Sequence, residues 1–174
     1  MGLDMYLDKR TYIGNQYKEP KEVKKIGFLG VKDSRVSEII ERVMYWRKAN
    51  AIHKWFVDNV QDGEDDCKEY WVSRESLKSL MNILDTLVKG LKTKKAKIQV
   101  GTRYENGKEN PIMEDGELIT NPELAQKLLP SEGGFFFGGT EYDNYYLDEC
   151  KRTLKELTEL LKEEEGEFYY HSSW

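Results

Sequence analysis

The sequence predicts an α+β fold, in which strands from the two ends of the chain form a small antiparallel sheet packed with about three main helices and a hairpin insertion. The first segment, LDMYLDK, alternates apolar and polar residues, and so does the last, FYYHSSW; this is the period of half-buried strands. Between them, leucines recur at steps of three and four along two long segments, which is the spacing of amphipathic helices.

The N-terminal part of the chain is predicted to contain two strands and one helix. The alternating segment at residues 3–9 is the first strand, and KIGFLGV, which follows the polar loop NQYKEPKEVKK, is the second. From about Ser37 to Val60 the pattern is helical, and the Asp-Gly of VQDGEDD ends the helix.

The middle of the chain predicts a second helix and a hairpin. After the brief extended segment YWVS, Ser73 is placed to cap a helix that runs to about Leu91. The apolar seam of this helix consists of Leu77, Leu80, Leu84, Leu87 and Leu91. The next segment predicts a hairpin that turns at Asn106-Gly107, and residues 92–120 form a candidate variable insertion. PELAQKLLP then forms one or two helical turns.

The C-terminal third predicts a long helix followed by the final strand. Thr140 and Asp143 form a capping pair for a helix from Glu141 to about Glu165. The preceding GGFFFGG segment has two interpretations. It is either a buried strand between flexible turns, or a glycine-rich loop in which Gly138 and the helix N-terminus present N–H groups to an anion.

The composition is that of one globular domain spanning residues 1–174. Charged residues make up 34%, hydrophobic residues 39% and aromatic residues 12% of the chain. No apolar run reaches the roughly 20 residues that span a bilayer, and the start of the chain lacks the apolar core of a signal peptide. We therefore expect a cytoplasmic protein without a membrane partner. Cys67 and Cys150 have no metal-ligand spacing, so we expect no metal, no cofactor and no disulfide.

The net charge of −5 is unevenly spread, with +4 over residues 1–61 and −9 over residues 62–174. An acidic chain lacks the broad basic face that duplex nucleic acid requires, so we expect no duplex partner. A local anion site in the N-terminal third is compatible with this distribution. The acidic run DGEDD lacks the residue order of a calcium loop and is interpreted as a solvated turn.

The segment YWRKANAIHKWF, residues 45–56, carries the densest group of candidate site residues. On a helical wheel, Trp46 falls on the main apolar face together with Asn50 and His53, and Arg47 lies on a charged flank. Burying an amide or an imidazole is costly unless the group finds hydrogen-bond partners. Asn50 and His53 are therefore either core groups with internal partners or the wall of a cavity, and the sequence leaves both interpretations open.

Four blocks of the sequence, MGLDMYL, YWRKANAIHKWFVDNVQDGEDDC, LLPSEGGFFFGGTEYD and FYYHSSW, resemble a family of small uncharacterised proteins of bacteriophages and prophages. The resemblance covers most of the chain but not residues 92–120. It implies a viral origin and a host-cytoplasmic setting rather than a reaction, since the family has no established activity. Small phage proteins without catalytic signatures often act by binding, either to a host protein or to a nucleotide signal of antiviral defence.

The leading functional hypothesis is a non-enzymatic binding protein that sequesters a small anionic nucleotide-derived signal of host antiviral defence, and so acts as a counter-defence sponge. Such a pocket needs rings to stack a base, cations or free N–H groups for phosphate, and amides or hydroxyls for ribose. The candidate ligand-binding residues are Trp46, Phe136 and Trp174 as rings, Arg47, Lys48 and Gly138 for phosphate, and Asn50, His53, Tyr142 and Asp143 for ribose.

Two alternative functions stay open. The first is a protein–protein inhibitor of a host enzyme, in which the rings of FFF and FYYHSSW dock on a host defence protein. The second is a nucleotide-processing enzyme with His53 or Asp143 as its acid–base group, although the sequence contains none of the common catalytic motifs. The helix seams would suit a homodimer or a higher homo-oligomer.

Overall fold

A computed structural model of the chain describes residues 2–12, 36–105 and 107–174. Within these ranges the chain forms strands and helices in two antiparallel sheets, which confirms the predicted α+β class. The elements are β1 (Asp4–Tyr12), β2 (Glu38–Arg47), α1 (Asn50–Val60), β3 (Tyr70–Val72), α2 (Arg74–Gly90), β4 (Thr93–Glu105), β5 (Lys108–Ile119), α3 (Pro122–Leu128), α4 (Asn144–Leu160) and β6 (Glu167–Ser173).

The main sheet joins the two ends of the chain, as the sequence predicts. Its strand order is β2-β1-β6-β3, so the first and last strands are its central pair. Tyr6 lies opposite His171 and Leu7 opposite Tyr170 in this antiparallel pairing. Because side chains alternate along a strand, Leu7 and Tyr170 are buried on one face, whereas Tyr6 and His171 lie on the other.

The prediction of one helix from about Ser37 to Val60 is wrong in its first half. Residues 38–47 form β2, which pairs with β1 from Asp4 opposite Arg47 to Tyr12 opposite Glu38, and the helix begins only at Asn50. The register shifts between Leu7 and Asp8, so the alternation along β2 is interrupted there. Because of this interruption, the apolar residues of β2 are spaced as they would be in a helix. Pairing with β1, which is distant in sequence, makes the segment a strand instead.

The predicted cap of α2, the hairpin and the short helix in the middle of the chain are confirmed. Ser73 caps α2, because its Oγ accepts a hydrogen bond from the Ser76 N–H at 2.9 Å. The hairpin β4–β5 pairs Glu105 with Lys108 and turns at Gly107, which has a φ of 73°. The predicted helix at PELAQKLLP is α3. The predicted second strand, KIGFLGV, and the polar loop before it lie outside the described residues.

The segment before α4 differs from two predictions. GGFFFGG forms a turn, not a buried strand, and the side chain of Phe135 at its tip is 96% exposed. The positive φ of Gly138, 88°, is incompatible with a continuous strand. The helix begins at Asn144 and ends at Leu160, so it is shorter than predicted at both ends, and Asp143 alone caps it by accepting a hydrogen bond from the Tyr146 N–H.

Helices cover one face of the main sheet. Phe56 of α1 stacks on Tyr170 of β6 with 3.9 Å between ring centroids. Trp46 of β2 donates its indole N–H to Thr153 Oγ1 of α4 at 2.8 Å. The α2 helix packs against α4, and the members of its leucine seam that lie within the helix are buried: Leu77, Leu80, Leu84 and Leu87. Of the helices in the described ranges, none combines the length and the apolar character needed to cross a bilayer.

Candidate functional site

A cleft opens where the end of β2, the GGFFFGG turn and the start of α4 face the β4 strand. Its volume is about 430 Å³, and it overlaps a neighbouring cavity of about 630 Å³ that extends along β4. The residues that matter for its chemistry are Arg47, Lys48, Gln99, Gly138, Asp143 and Tyr145. We call this space the Lys48 cleft, because Lys48 borders both cavities.

The backbone of Leu3, just before β1, joins the two sides of the Lys48 cleft. The Leu3 N–H donates to the Phe136 carbonyl at 3.0 Å, and the Leu3 carbonyl accepts from the Lys48 N–H at 2.7 Å. Lys48 itself has a φ of 57°, a left-handed conformation that an L-residue rarely adopts. The start of the chain therefore holds the glycine-rich turn against the β2–α1 junction, and this junction points the Lys48 side chain into the cleft.

Gly138 and Lys48 approach each other too closely for a side chain at position 138. A Cβ atom built on Gly138 would lie 3.1 Å from the Cβ of Lys48. The φ of Gly138 is also positive, 88°, so both the space and the backbone conformation call for glycine. That this turn presents N–H groups to an anion stays a prediction.

The two cations at the end of β2 are available to an anion. The side chains of Arg47 and Lys48 are exposed, and neither has a carboxylate partner among the described residues. By contrast, Lys54 in the next helix is bound between Asp58 and Glu132. Adjacent cations without a carboxylate partner, next to a glycine-rich turn, are typical of phosphate recognition.

The opposite wall of the Lys48 cleft is polar and partly acidic. Glu141, Asp143 and Tyr145 line it. The Tyr145 hydroxyl donates a hydrogen bond to the Arg47 carbonyl at 2.5 Å, and partial burial raises the pKa of this phenol. Tyr145 is therefore a neutral donor with a half-exposed ring at neutral pH. The buried Oδ1 atom of Asn144 has no hydrogen-bond partner among the described residues.

Four of the residues that the sequence singles out meet in the Lys48 cleft. They are Arg47, Lys48, Gly138 and Asp143. Asp143 also caps α4, so one of its oxygens is already engaged with the Tyr146 N–H at 3.1 Å.

The predicted rings do not line this cleft. Trp46 is 1% exposed and belongs to the core, where its indole is bound to Thr153. Phe136 is half-buried, and Trp174 contacts Phe137 edge to face with 6.0 Å between ring centroids. Tyr142 packs against Tyr146, and its hydroxyl accepts a hydrogen bond from the Ser131 N–H.

Asn50 has internal partners for its side-chain amide. Its Nδ2 donates to the carbonyls of Phe137 and Gly139 at 3.1 and 2.7 Å, and its Oδ1 accepts from the Glu132 N–H at 3.2 Å. Asn50 therefore fixes the GGFFFGG turn on the first turn of α1. It shapes one side of the Lys48 cleft through this turn.

His53 is a core residue with both ring nitrogens satisfied. Its Nδ1 lies 2.8 Å from the Tyr170 hydroxyl, and its Nε2 lies 3.0 Å from Asp65 Oδ2. Burial raises the pKa of Tyr170 well above its usual value, so its hydroxyl stays protonated and shares a hydrogen bond with Nδ1. The Asp65 carboxylate accepts a hydrogen bond from Nε2. Trp174 donates its indole N–H to the same carboxylate at 3.2 Å.

Sequence reasoning missed Tyr145 and Gln99. Tyr145 follows the capping residue Asp143 and lies off the leucine seam of α4, so its position in the first helical turn was a usable signal. Gln99 lies on β4, in the segment that the sequence treats as an insertion. No local pattern indicates that this strand faces the β2–α1 junction.

Comparison with protein-family models, with curated proteins and with solved structures gives no match. The geometry of the described residues therefore carries the functional argument.

Proposed function

We propose that this protein is a non-enzymatic binding protein whose Lys48 cleft takes a small, anionic, nucleotide-derived ligand, and that it sequesters such a signal of host antiviral defence in the cytoplasm of a phage-infected cell. The observation that carries the proposal is the pair of adjacent exposed cations, Arg47 and Lys48, which have no carboxylate partner among the described residues and face a glycine-rich turn.

The phosphate of the ligand lies beside the two cations. Arg47 supplies a planar fork of donors and Lys48 a compact charge, and the two together suit a phosphate better than a single carboxylate. The close contact between Gly138 and Lys48 lets the backbone of the turn approach the ligand.

The sugar and base lie toward the polar wall. The carboxylates of Glu141 and Asp143 accept hydrogen bonds from ribose hydroxyls. Phosphate oxygens without a proton have no hydrogen bond to donate to these carboxylates. The half-exposed ring of Tyr145 offers a surface for a base, and the amide of Gln99 offers one donor and one acceptor. A ligand with both a phosphate and a nucleoside fits this mixed cleft better than inorganic phosphate does.

The positions and hydrogen bonds of the candidate acid–base groups favour binding over catalysis. His53 is 1% exposed and bound to Tyr170 and Asp65, so it has no access to a ligand. The imidazole proposed for proton transfer in a nucleotide-processing enzyme therefore does not reach the cleft. Asp143 borders the cleft, but one of its oxygens accepts the capping hydrogen bond of α4.

The test is ligand depletion followed by recovery. The protein is incubated with cyclic mononucleotides, cyclic dinucleotides and ADP-ribose derivatives, with inorganic phosphate as a control anion. It is then filtered, denatured, and the released fraction is analysed by mass spectrometry. We expect depletion of one nucleotide and its recovery intact. Recovery of a chemically altered nucleotide would show catalysis instead, and no depletion of any nucleotide would overturn the proposal.

One observation favours a second function, the inhibition of a host protein. Phe135 is 96% exposed at the tip of the GGFFFGG turn and contacts Phe136 edge to face. An exposed aromatic anchor on a turn is typical of a protein-binding hot spot. If no nucleotide is depleted, Phe135→Ala becomes the variant to compare with the parent protein in binding assays against host defence proteins.

A further inference from the structure

The face of the main sheet opposite the helices brings together three metal-ligating side chains from three strands or strand ends. Asp8 lies in β1, His171 in β6, and Glu69 directly precedes β3. Asp8 is only 5% exposed, which is unusual for a carboxylate on this face. The three residues are far apart in the sequence, so no spacing motif indicates them.

We propose that Asp8, Glu69 and His171 form a binding site for one divalent transition-metal cation of the zinc type, independent of the Lys48 cleft and of the function proposed for it. One ligand atom from each side chain lies within 4.8 Å of the others. Ligand atoms around tetrahedral zinc are about 3.4 Å apart when the bonds are about 2.1 Å long. Glu69 is exposed, and rotation of its side chain brings its carboxylate closer to the ligand atoms of the other two residues.

The imidazole of His171 is held in place with an unused ring nitrogen. Its ring stacks on Tyr6 with 4.7 Å between centroids and an interplanar angle of 23°. The Nδ1 atom is buried and has no hydrogen-bond partner among the described residues. A buried nitrogen without a partner is costly, and coordination of a cation removes this cost.

The two carboxylates are oriented by arginines. Arg42 binds Asp8 with both Nε and Nη2, at 3.1 and 3.4 Å, and Arg10 binds Glu69. Each carboxylate offers about four lone-pair directions, so an arginine on one side leaves others for a cation. Such outer partners fix the ligands of metal sites in position.

This charge balance selects the class of cation. Arg10 and Arg42 offset the charges of Asp8 and Glu69, so the site has little net negative charge to attract Ca²⁺ or Mg²⁺, which also prefer oxygen ligands alone. Imidazole with carboxylates suits Zn²⁺ and its first-row neighbours. Three protein ligands leave one tetrahedral position for water.

The experiment measures zinc uptake by the full chain. Cys67 is exposed and is itself a zinc-binding group, so all measurements use a Cys67→Ser background. Equilibrium dialysis against ZnCl₂, read out by elemental analysis, is expected to give saturable uptake of about one zinc per chain. Replacement of zinc by Co²⁺ then gives a visible absorption spectrum that reports a low-coordinate site with one nitrogen ligand.

Three variants decide the outcome. His171→Gln and Glu69→Gln are each expected to weaken zinc binding by at least about tenfold, since loss of even an outer partner has an effect of that size. Asp4→Asn, a carboxylate on the same strand and face but outside the cluster, is expected to bind zinc as the background does. Glu69 is exposed, so its substitution leaves folding intact, which circular dichroism checks. The proposal is overturned if uptake does not saturate, or if His171→Gln and Glu69→Gln bind zinc as tightly as Asp4→Asn.

Discussion

The Tyr170 hydroxyl and His53 Nδ1 share a hydrogen bond at 2.8 Å, and this bond links the central strand β6 to helix α1. Both residues are almost completely buried, at 0% and 1% exposure. Because His53 also binds Asp65, the pair connects the sheet, the helix and the acidic turn that follows it. It is a structural unit, and its removal affects the stability of the protein.

Tyr170→Phe is expected to lower the free energy of unfolding by about 1–3 kcal/mol, because it leaves the Nδ1 of His53 buried without a hydrogen-bond partner. The phenylalanine ring at position 170 still stacks on Phe56, so the experiment tests the hydrogen bond alone. The measurement is chemical denaturation of the variant and the parent. Tyr169→Phe is the control, since its hydroxyl donates to the exposed Glu167 among the described residues. Equal losses in the two variants would contradict the assignment.

Gly138→Ala is expected to destabilise the protein more than Gly63→Ala does. Both glycines have a positive φ, 88° and 83°, so each alanine is strained by about 1–2 kcal/mol. Only the Cβ at 138 would meet Lys48, whereas nothing lies within 4 Å at 63. Thermal unfolding measures the difference. Lys48→Gly also removes the left-handed strain at position 48, so it serves as the reference background. In this background Gly138→Ala should destabilise the protein no more than Gly63→Ala does, and a larger loss would show that Lys48 is not its cause.

Arg47→Ala is expected to leave the melting temperature of the free protein nearly unchanged but to abolish the stabilisation that a bound nucleotide gives. The side chain is exposed and has no ion pair among the described residues, so it contributes little to packing. The probe is the nucleotide recovered in the depletion experiment. Lys155→Ala, which removes an exposed cation from α4, is the matched control. If the nucleotide stabilises Arg47→Ala as much as it stabilises Lys155→Ala, Arg47 is not part of the site.

The two thiols are expected to differ in reactivity. Cys67 is exposed, whereas burial raises the pKa of Cys150 to about 12, so Cys150 stays a neutral thiol at pH 8. Alkylation of the native protein with iodoacetamide should therefore modify one thiol, and alkylation in denaturant should modify two. Intact mass spectrometry counts the modifications. In Cys67→Ser, rapid labelling of the native protein would contradict the burial of Cys150.

Asp66 is expected to contribute to the loss of stability in acid. The Lys68 ammonium, the Lys68 backbone N–H and the Tyr70 hydroxyl bind its carboxylate and lower its pKa from the usual 3.8. A lowered pKa in the folded state stabilises the protein above the unfolded value, and this contribution is lost as the pH falls through the folded value. Urea unfolding between pH 2 and 6 should show a shallower pH dependence for Asp66→Asn. Asp62→Asn, at an exposed position in the same turn, should retain the parent's dependence.

Local patterns in the sequence determined much of the fold. The strict alternation at the two ends predicted β1 and β6, Ser73 and the leucine seam predicted α2, and Asn-Gly predicted the β4–β5 turn. The cap and the turn use residues that are close in sequence. The strands and the helix each have one buried face, so their apolar residues repeat at a fixed spacing. The charge distribution indicated a local anion site in the N-terminal third, and this stays a prediction.

Only the tertiary structure decided that residues 38–47 form β2 and which partners the polar core groups bind. It also decided which residues meet in the Lys48 cleft and in the Asp8–Glu69–His171 cluster. The hydrogen bonds of β2 come from β1, and the register shift after Leu7 gives the segment a helix-like spacing that local reasoning cannot distinguish from a true helix. Asn50 and His53 needed partners that lie about eighty or more residues away in the chain, apart from Asp65. The Lys48 cleft and the Asp8–Glu69–His171 cluster exist because strand pairing places distant side chains together, which is a property of long-range contacts and leaves no spacing in the sequence.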